Sequence, residues 1–217
     1  MLYILFALFL FSCNEYSVTK VIQTEPELVV YPEFIDFGHL RAGFESGQDS
    51  FAIINAGDHV LTINKPTIIT DAGRINLDTG LEEEYIIQPG SVLEFNVYYS
   101  PATYAINEAT ISFTSDDADE SHYVLPVIGY GDAPVLDITP QVLDYGDVRI
   151  GCDNEEHITI KNAGNLSLII DDITQMVTQP QDIIMEYGSL PALPWVLDPA
   201  QEIDILVSYI PSDISYD

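Results

Sequence analysis

Positive charge is what this sequence has least of. Six lysines and arginines stand against 35 aspartates and glutamates in 217 residues, for a formal charge of −29. Such a polyanion repels phosphate backbones and anionic headgroups, so nucleic acid is excluded as a partner and the folded surface gains nothing from acidic lipid. Two readings of the acidity stand, solubility in a salty medium and a surface that attracts cations. Cysteine is nearly absent too. Cys13 and Cys152 are too few for a disulfide scaffold. Cys152 either pairs with a cysteine outside this sequence or is a lone buried thiol. The four histidines, His39, His59, His122 and His157, are scattered, with no His-x-His or His-x-x-x-His pair to seed a metal site. No Gly-x-Ser-x-Gly elbow, Walker loop or His-Glu-x-x-His segment occurs, and no catalytic constellation is visible. Helical periodicity of useful length is missing as well.

What is present begins at the N-terminus. Leu2–Phe11 is an unbroken apolar run, too short for a roughly 30 Å bilayer core, which takes about 20 residues, but suited to a signal peptide. Ser12 and Cys13 follow, and Leu10-Phe11-Ser12-Cys13 resembles the bacterial lipobox. That resemblance implies cleavage before Cys13, a diacylated Cys13 as the membrane anchor, and an exported protein of the cell envelope facing the periplasm or the exterior. Residues 1–12 are then the signal peptide and 13–27 the lipidated cysteine and tether.

The rest of the chain is written twice. Pro32–Gly43 reads PEFIDFGHLRAG and returns at Pro140–Gly151 as PQVLDYGDVRIG. Asn55-Ala56-Gly57 returns as Asn162-Ala163-Gly164, Gln88-Pro89-Gly90 as Asp198-Pro199-Ala200, and Pro101 as Pro211. Short β-rich segments separated by turn residues fill both copies. Leu93, Phe95, Val97 and Tyr99 alternate with polar neighbours, as do Ile203, Ile205, Val207 and Tyr209, and this period of two marks strands with one buried face. About seven strands in the first copy, and the repeat of their pattern in the second, predict an all-β fold of tandem Ig-like antiparallel β-sandwiches, over 28–131 and 133–217. Glycines 57 and 90 read as turns that need unusual backbone angles. The first copy has two more strands after Pro101 that find no counterpart after Pro211, so the second sandwich reads as incomplete. Either a fragment of a longer protein or a neighbour that donates the strands would account for that.

The frame Asp36-Phe37-Gly38, Asn55-Ala56-Gly57, Pro89-Gly90, Tyr99 with Pro101, and Gly129-Tyr130-Gly131 resembles the Ig-like domains grouped as ASH, major-sperm-protein-like or hydin-like. In bacteria these occur in surface proteins labelled choice-of-anchor D. The matching positions of the second copy are Asp144, Tyr145, Gly146, Asn162 and Gly164. The resemblance implies that all of these are framework residues. The same fold in ciliary and centrosomal proteins is cytoplasmic, which the export signal argues against.

Candidate chemistry is thin. Asp116, Asp117, Asp119 and Glu120 could set hard oxygens around Ca²⁺, which takes about six to eight, but they lack the EF-hand spacing, and the plainer expectation is a solvated turn. Trp195 reads as packing at the end of a sandwich sooner than as a partner-binding aromatic. Arg41 and Arg149 share a repeat position and suggest structural ion pairs. No cofactor is expected. The sequence thus points to a non-catalytic lipoprotein with structural, adhesive or protein-interaction modules. The alternative is accessory modules of a larger secreted enzyme.

Overall fold

The computed structural model describes residues 25–70, 74–174, 182–186 and 190–212. The apolar run and Cys13 lie outside the described residues. Among the described residues all sixteen regular elements are β-strands, and no helix is long and apolar enough to cross a membrane.

The first copy faces two four-stranded sheets against each other. One has the order β1 (Leu28–Tyr31), β3 (Gly47–Asn55), β8 (Val92–Tyr99), β6 (Ile75–Asp78). The other runs β2 (Ile35–Arg41), β10 (His122–Asp132), β9 (Ala105–Thr114), β5 (Thr67–Thr70). A ribbon of β4 (Leu61–Asn64) and β7 (Glu84–Ile87) adds Leu61, Ile63 and Ile87 to the core. The count is ten strands against an expected seven or so. The surplus comes from β5, β6 and β7, four-residue segments too short to show a period.

Alternation decides what goes inside. Phe51 and Ile53 on β3, Phe95, Val97 and Tyr99 on β8, Ile111 and Phe113 on β9, and Leu125 and Val127 on β10 meet in one core. Removing each such side chain from water contributes roughly 1.5–3 kcal/mol. Tyr99 donates its hydroxyl to Asn107 at 3.1 Å, and Gly129 lies flat on its ring, where an added Cβ would collide with the ring atoms. Burial, followed by the charge of Asp132, raises the Tyr99 hydroxyl above its usual pKa.

The second copy repeats the first sheet strand for strand. Its order is β11 (Leu136–Thr139), β12 (Asn154–Asn162), β16 (Glu202–Tyr209), β14 (Ile183–Glu186), with a ribbon of β13 (Leu168–Ile170) and β15 (Trp195–Leu197). No counterpart of the second sheet occurs among its described residues. Its core centres on Ile160, Trp195, Leu197, Ile205 and Val207.

The repeated polar residues act on the backbone. Asn55 is fully buried and uses every hydrogen-bonding position it has. Its Nδ2 donates to the carbonyls of His59 at 2.7 Å and Ile87 at 2.9 Å, while Oδ1 accepts from Gly57 at 3.1 Å and Glu27 at 3.4 Å. Asn162 repeats this, donating to Leu166 and Leu197 and accepting from Gly164 and Val135. Asp36 accepts the Gly38 amide at 2.8 Å and Asp144 the Gly146 amide at 2.9 Å, each glycine being left-handed, with φ of +63° and +59°. In β2 this turn is a bulge, for the pairing with β10 slips between Ile128↔Asp36 and Tyr130↔His39.

One of the two glycine expectations needs correction. Gly57 does not have an unusual backbone angle. It is required because a Cβ there would strike the Glu25 carbonyl, as one at Gly164 would strike that of Ala133. Gly90 is left-handed at φ +71°, and its counterpart Ala200 is driven to +65° because its amide, like that of Gly90, must reach the asparagine carbonyl. Replacing Ala200 with glycine should therefore stabilise the second copy by about 0.5–1 kcal/mol, and Gly90→Ala should destabilise the first by a similar amount. Urea unfolding midpoints at unchanged slope will show both.

Candidate functional site

The acidic turn between β9 and β10 is a latch. Asp116 exchanges hydrogen bonds with Thr62, its carboxylate accepting the Thr62 amide at 2.8 Å and its own amide reaching the Thr62 carbonyl at 3.0 Å. Asp117 accepts the Leu28 amide at 2.6 Å and the Asp119 amide at 3.3 Å. It is 2% exposed, so the solvated turn expected here has a buried acid at its centre. Burial pushes the Asp117 carboxyl up, but the Leu28 and Asp119 hydrogen bonds outweigh that and hold it below the usual range. Glu120 moves the other way, raised by burial and then by the charges of Asp117, Asp119 and Glu27. The Asp116 and Asp117 oxygens point to separate backbone amides. Among the described residues no group of three or more His, Cys, Asp or Glu side chains converges as a metal centre, so the structure does not bring the Ca²⁺ candidates together.

A second polar cluster sits where the copies join. Asp132, the last residue of β10, binds His39 Nδ1 at 2.9 Å and Asn165 Nδ2 at 2.6 Å, and Asn165 Oδ1 accepts the Ala133 amide at 3.1 Å. The His39 and Asn165 hydrogen bonds hold the Asp132 carboxyl below its usual range. His39 stacks on Tyr130 with ring centroids 4.7 Å apart. His39 and Asp132 border a cavity of about 400 Å³ together with Arg41, Glu45, Leu166 and Ser167. Arg41 carries its guanidinium over the Phe44 ring at 4.5 Å, and the expected ion pair is not found among the described residues.

The third feature is an open sheet face. Leu28 and Val30 of β1 are 2% and 7% exposed; their counterparts Leu136 and Ile138 of β11 are 53% and 37% exposed. Leu61 and Ile63 are fully buried, whereas Leu168 and Ile170 are half-buried. The physical difference is β9 and β10, which lay Ile111, Phe113, Leu125 and Val127 across that face in the first copy.

Trp195 is buried and donates its indole N–H to the Pro191 carbonyl at 2.6 Å, which makes it packing as expected. A cavity of about 310 Å³ opens beside it. Cys152 is free and exposed, which overturns the buried-thiol reading. Alternation and turn chemistry found the Asp-x-Gly and Asn-Ala-Gly frames. They could not find the Asp117–Leu28 latch, because its partners are distant in sequence and neither belongs to a motif.

No family model matches the sequence, and no curated protein matches it. Among solved structures it is similar to the ASH/PapD-like domain 7 of human CEP192, with TM-score 0.39 and 10% identity over 58% of this chain and 97% of that one. It is also similar to WR4, a major sperm protein family member of C. elegans, with TM-score 0.32 and 10% identity over 47% and 96%. A third is the CsuC–CsuE chaperone–tip adhesion subunit complex of Acinetobacter baumannii, with TM-score 0.37 and 11% identity over 82% and 89%. Identity this low brings no activity or partner from those proteins to this one.

A carboxyl depressed in the folded state adds stability above its unfolded pKa and loses it as pH falls through the folded one. Asp117 should therefore make the first copy acid-labile below about pH 4. Asp117→Asn should lower stability at neutral pH and flatten the fall in acid, which urea midpoints measured from pH 3 to 7 will reveal.

Proposed function

We propose that the chain is an exported, membrane-anchored and non-catalytic protein whose β-sandwich repeats serve as structural, adhesive or protein-interaction modules of the cell envelope. One observation carries the non-catalytic part: the polar residues common to both copies act on the chain's own backbone. Asp36 and Asp144 cap glycine turns, and Asn55 and Asn162 tie together three segments each. What the repeat preserves is a rigid frame, and a rigid frame placed twice in a row is suited to holding a surface at a distance.

The anchor is proposed from the apolar run and Ser12-Cys13 alone. Two acyl chains on Cys13 are enough for stable attachment, where a single chain is only marginal. A folded part of such negative charge would stand off anionic headgroups, which fits a tethered module better than one lying on the lipid. No role is proposed for a metal or cofactor.

Intact mass of the protein from its own cells tests this. Cleavage before Cys13 with added acyl mass is expected, together with incorporation of labelled palmitate that Cys13→Ser abolishes while releasing the protein from the membrane fraction. A product that retains an unmodified Met1 would sink the anchored reading.

A further inference from the structure

We propose that the side chain of Asp132 locks the joint between the two copies, so that they turn in solution as one body at a fixed angle. The inference concerns the mechanics of the pair and does not depend on the anchor at Cys13.

Tandem domains ordinarily move relative to each other unless a large apolar interface holds them. Here the backbone leaves little to move. Asp132 closes β10 opposite Arg41, and its carbonyl accepts the Ala42 amide at 2.8 Å, so its main chain belongs to the first copy. Ala133, Pro134 and Val135 belong to the second. Ala133 donates to Asn165 Oδ1 at 3.1 Å and accepts the Asn165 amide at 3.1 Å, and Val135 accepts the Ala163 amide at 2.8 Å. Pro134 fixes its own φ and confines Ala133 to extended angles. The freedom that remains is the two dihedrals flanking the peptide bond between Asp132 and Ala133.

The Asp132 side chain closes that gap. One oxygen, Oδ1, accepts from His39 Nδ1 of the first copy at 2.9 Å and from Asn165 Nδ2 of the second at 2.6 Å. His39 is held in turn by its stack on Tyr130. The carboxyl, lowered by these two hydrogen bonds, is charged at neutral pH, and bonds to a charged acceptor are the shorter and stronger kind. The repeat shows that the partners are particular to the joint. His39 stands where the second copy has Asp147, and Asn165 stands where the first copy has Asp58. An acid at either place would face the Asp132 carboxylate and repel it. Asp58 turns to His59 instead, at 2.8 Å. In a chain of 35 acids, both positions that meet Asp132 carry a hydrogen-bond donor in place of the acid found in the other copy.

Cys152 is free and exposed on the second copy and takes one spin label. Glu108→Cys, at an exposed position of β9, takes the other, in a full chain that also carries Cys13→Ser. Double electron–electron resonance should then give a single narrow distribution of label-to-label distances. Asn165→Asp, which installs the residue that the first copy has there, should replace it with a broad one, and Asp132→Ala should do the same without adding charge. The exchanged pair, Asp132→Asn with Asn165→Asp, restores one donor and one acceptor across the joint and should narrow the distribution again. A broad distribution in the starting chain overturns the proposal. So does a narrow one that survives Asn165→Asp or Asp132→Ala unchanged, or an exchanged pair as broad as the single variants. Every outcome is read without Cys13, so this inference and the anchored reading fail separately.

Discussion

Everything in each copy hangs on one buried carboxamide. Asn55 and Asn162 sit at the end of a long strand, wholly out of water, and each holds one carbonyl and one amide of the turn that follows it and one of each from segments distant in sequence. A buried amide that lacks its partners costs about 1–3 kcal/mol for each unmet group, so an asparagine with all four met is stable only if its surroundings are in place together. That couples the entry of the first strand, the turn after the third, and the end of the ribbon into one cooperative corner. The glycine two residues on is fixed by the same corner, because the incoming strand passes too close for a Cβ.

The scarcity of lysine and arginine shapes how the acids are used. With 35 carboxylates and six cations, most acids cannot find an ion pair. Several bind backbone amides instead: Asp36, Asp78 and Asp144 cap turns, and Asp116 and Asp117 latch a hairpin onto neighbouring strands. A carboxylate that accepts an N–H bond is stabilised in its charged form without any cation nearby. The depressed Asp117 carboxyl is the visible consequence, whereas Asp132 at the join is lowered by the His39 and Asn165 side chains.

Having two copies in one chain separates local from global causes. The sheet of β11, β12, β16 and β14 forms with the register of its counterpart even though its inner face is poorly covered. The hairpin of β9 and β10 therefore does not build that sheet. It turns a half-wet surface into a dry core, taking Leu28 from the exposure of Leu136 to near zero.

Local chemistry made much of this legible without coordinates. Alternation marked β8 and β16, and the doubled Asp-x-Gly and Asn-Ala-Gly segments marked the turns, because a strand's period and a turn's backbone angles are written in adjacent residues. Three matters belonged to the tertiary structure. Gly57 is needed for a close approach and not for its own angle, which depends on where Glu25 passes. Asp117 is buried because Leu28, far away in sequence, offers it an amide. Residues 35–41 are a strand and residues 143–149 are not, although the two share one sequence frame and one local turn. Sequence by itself determined how each segment bends. Whether the segment is a strand was decided only by a neighbour brought alongside, since β-structure is a hydrogen-bonded pair and no stretch of chain can supply both halves.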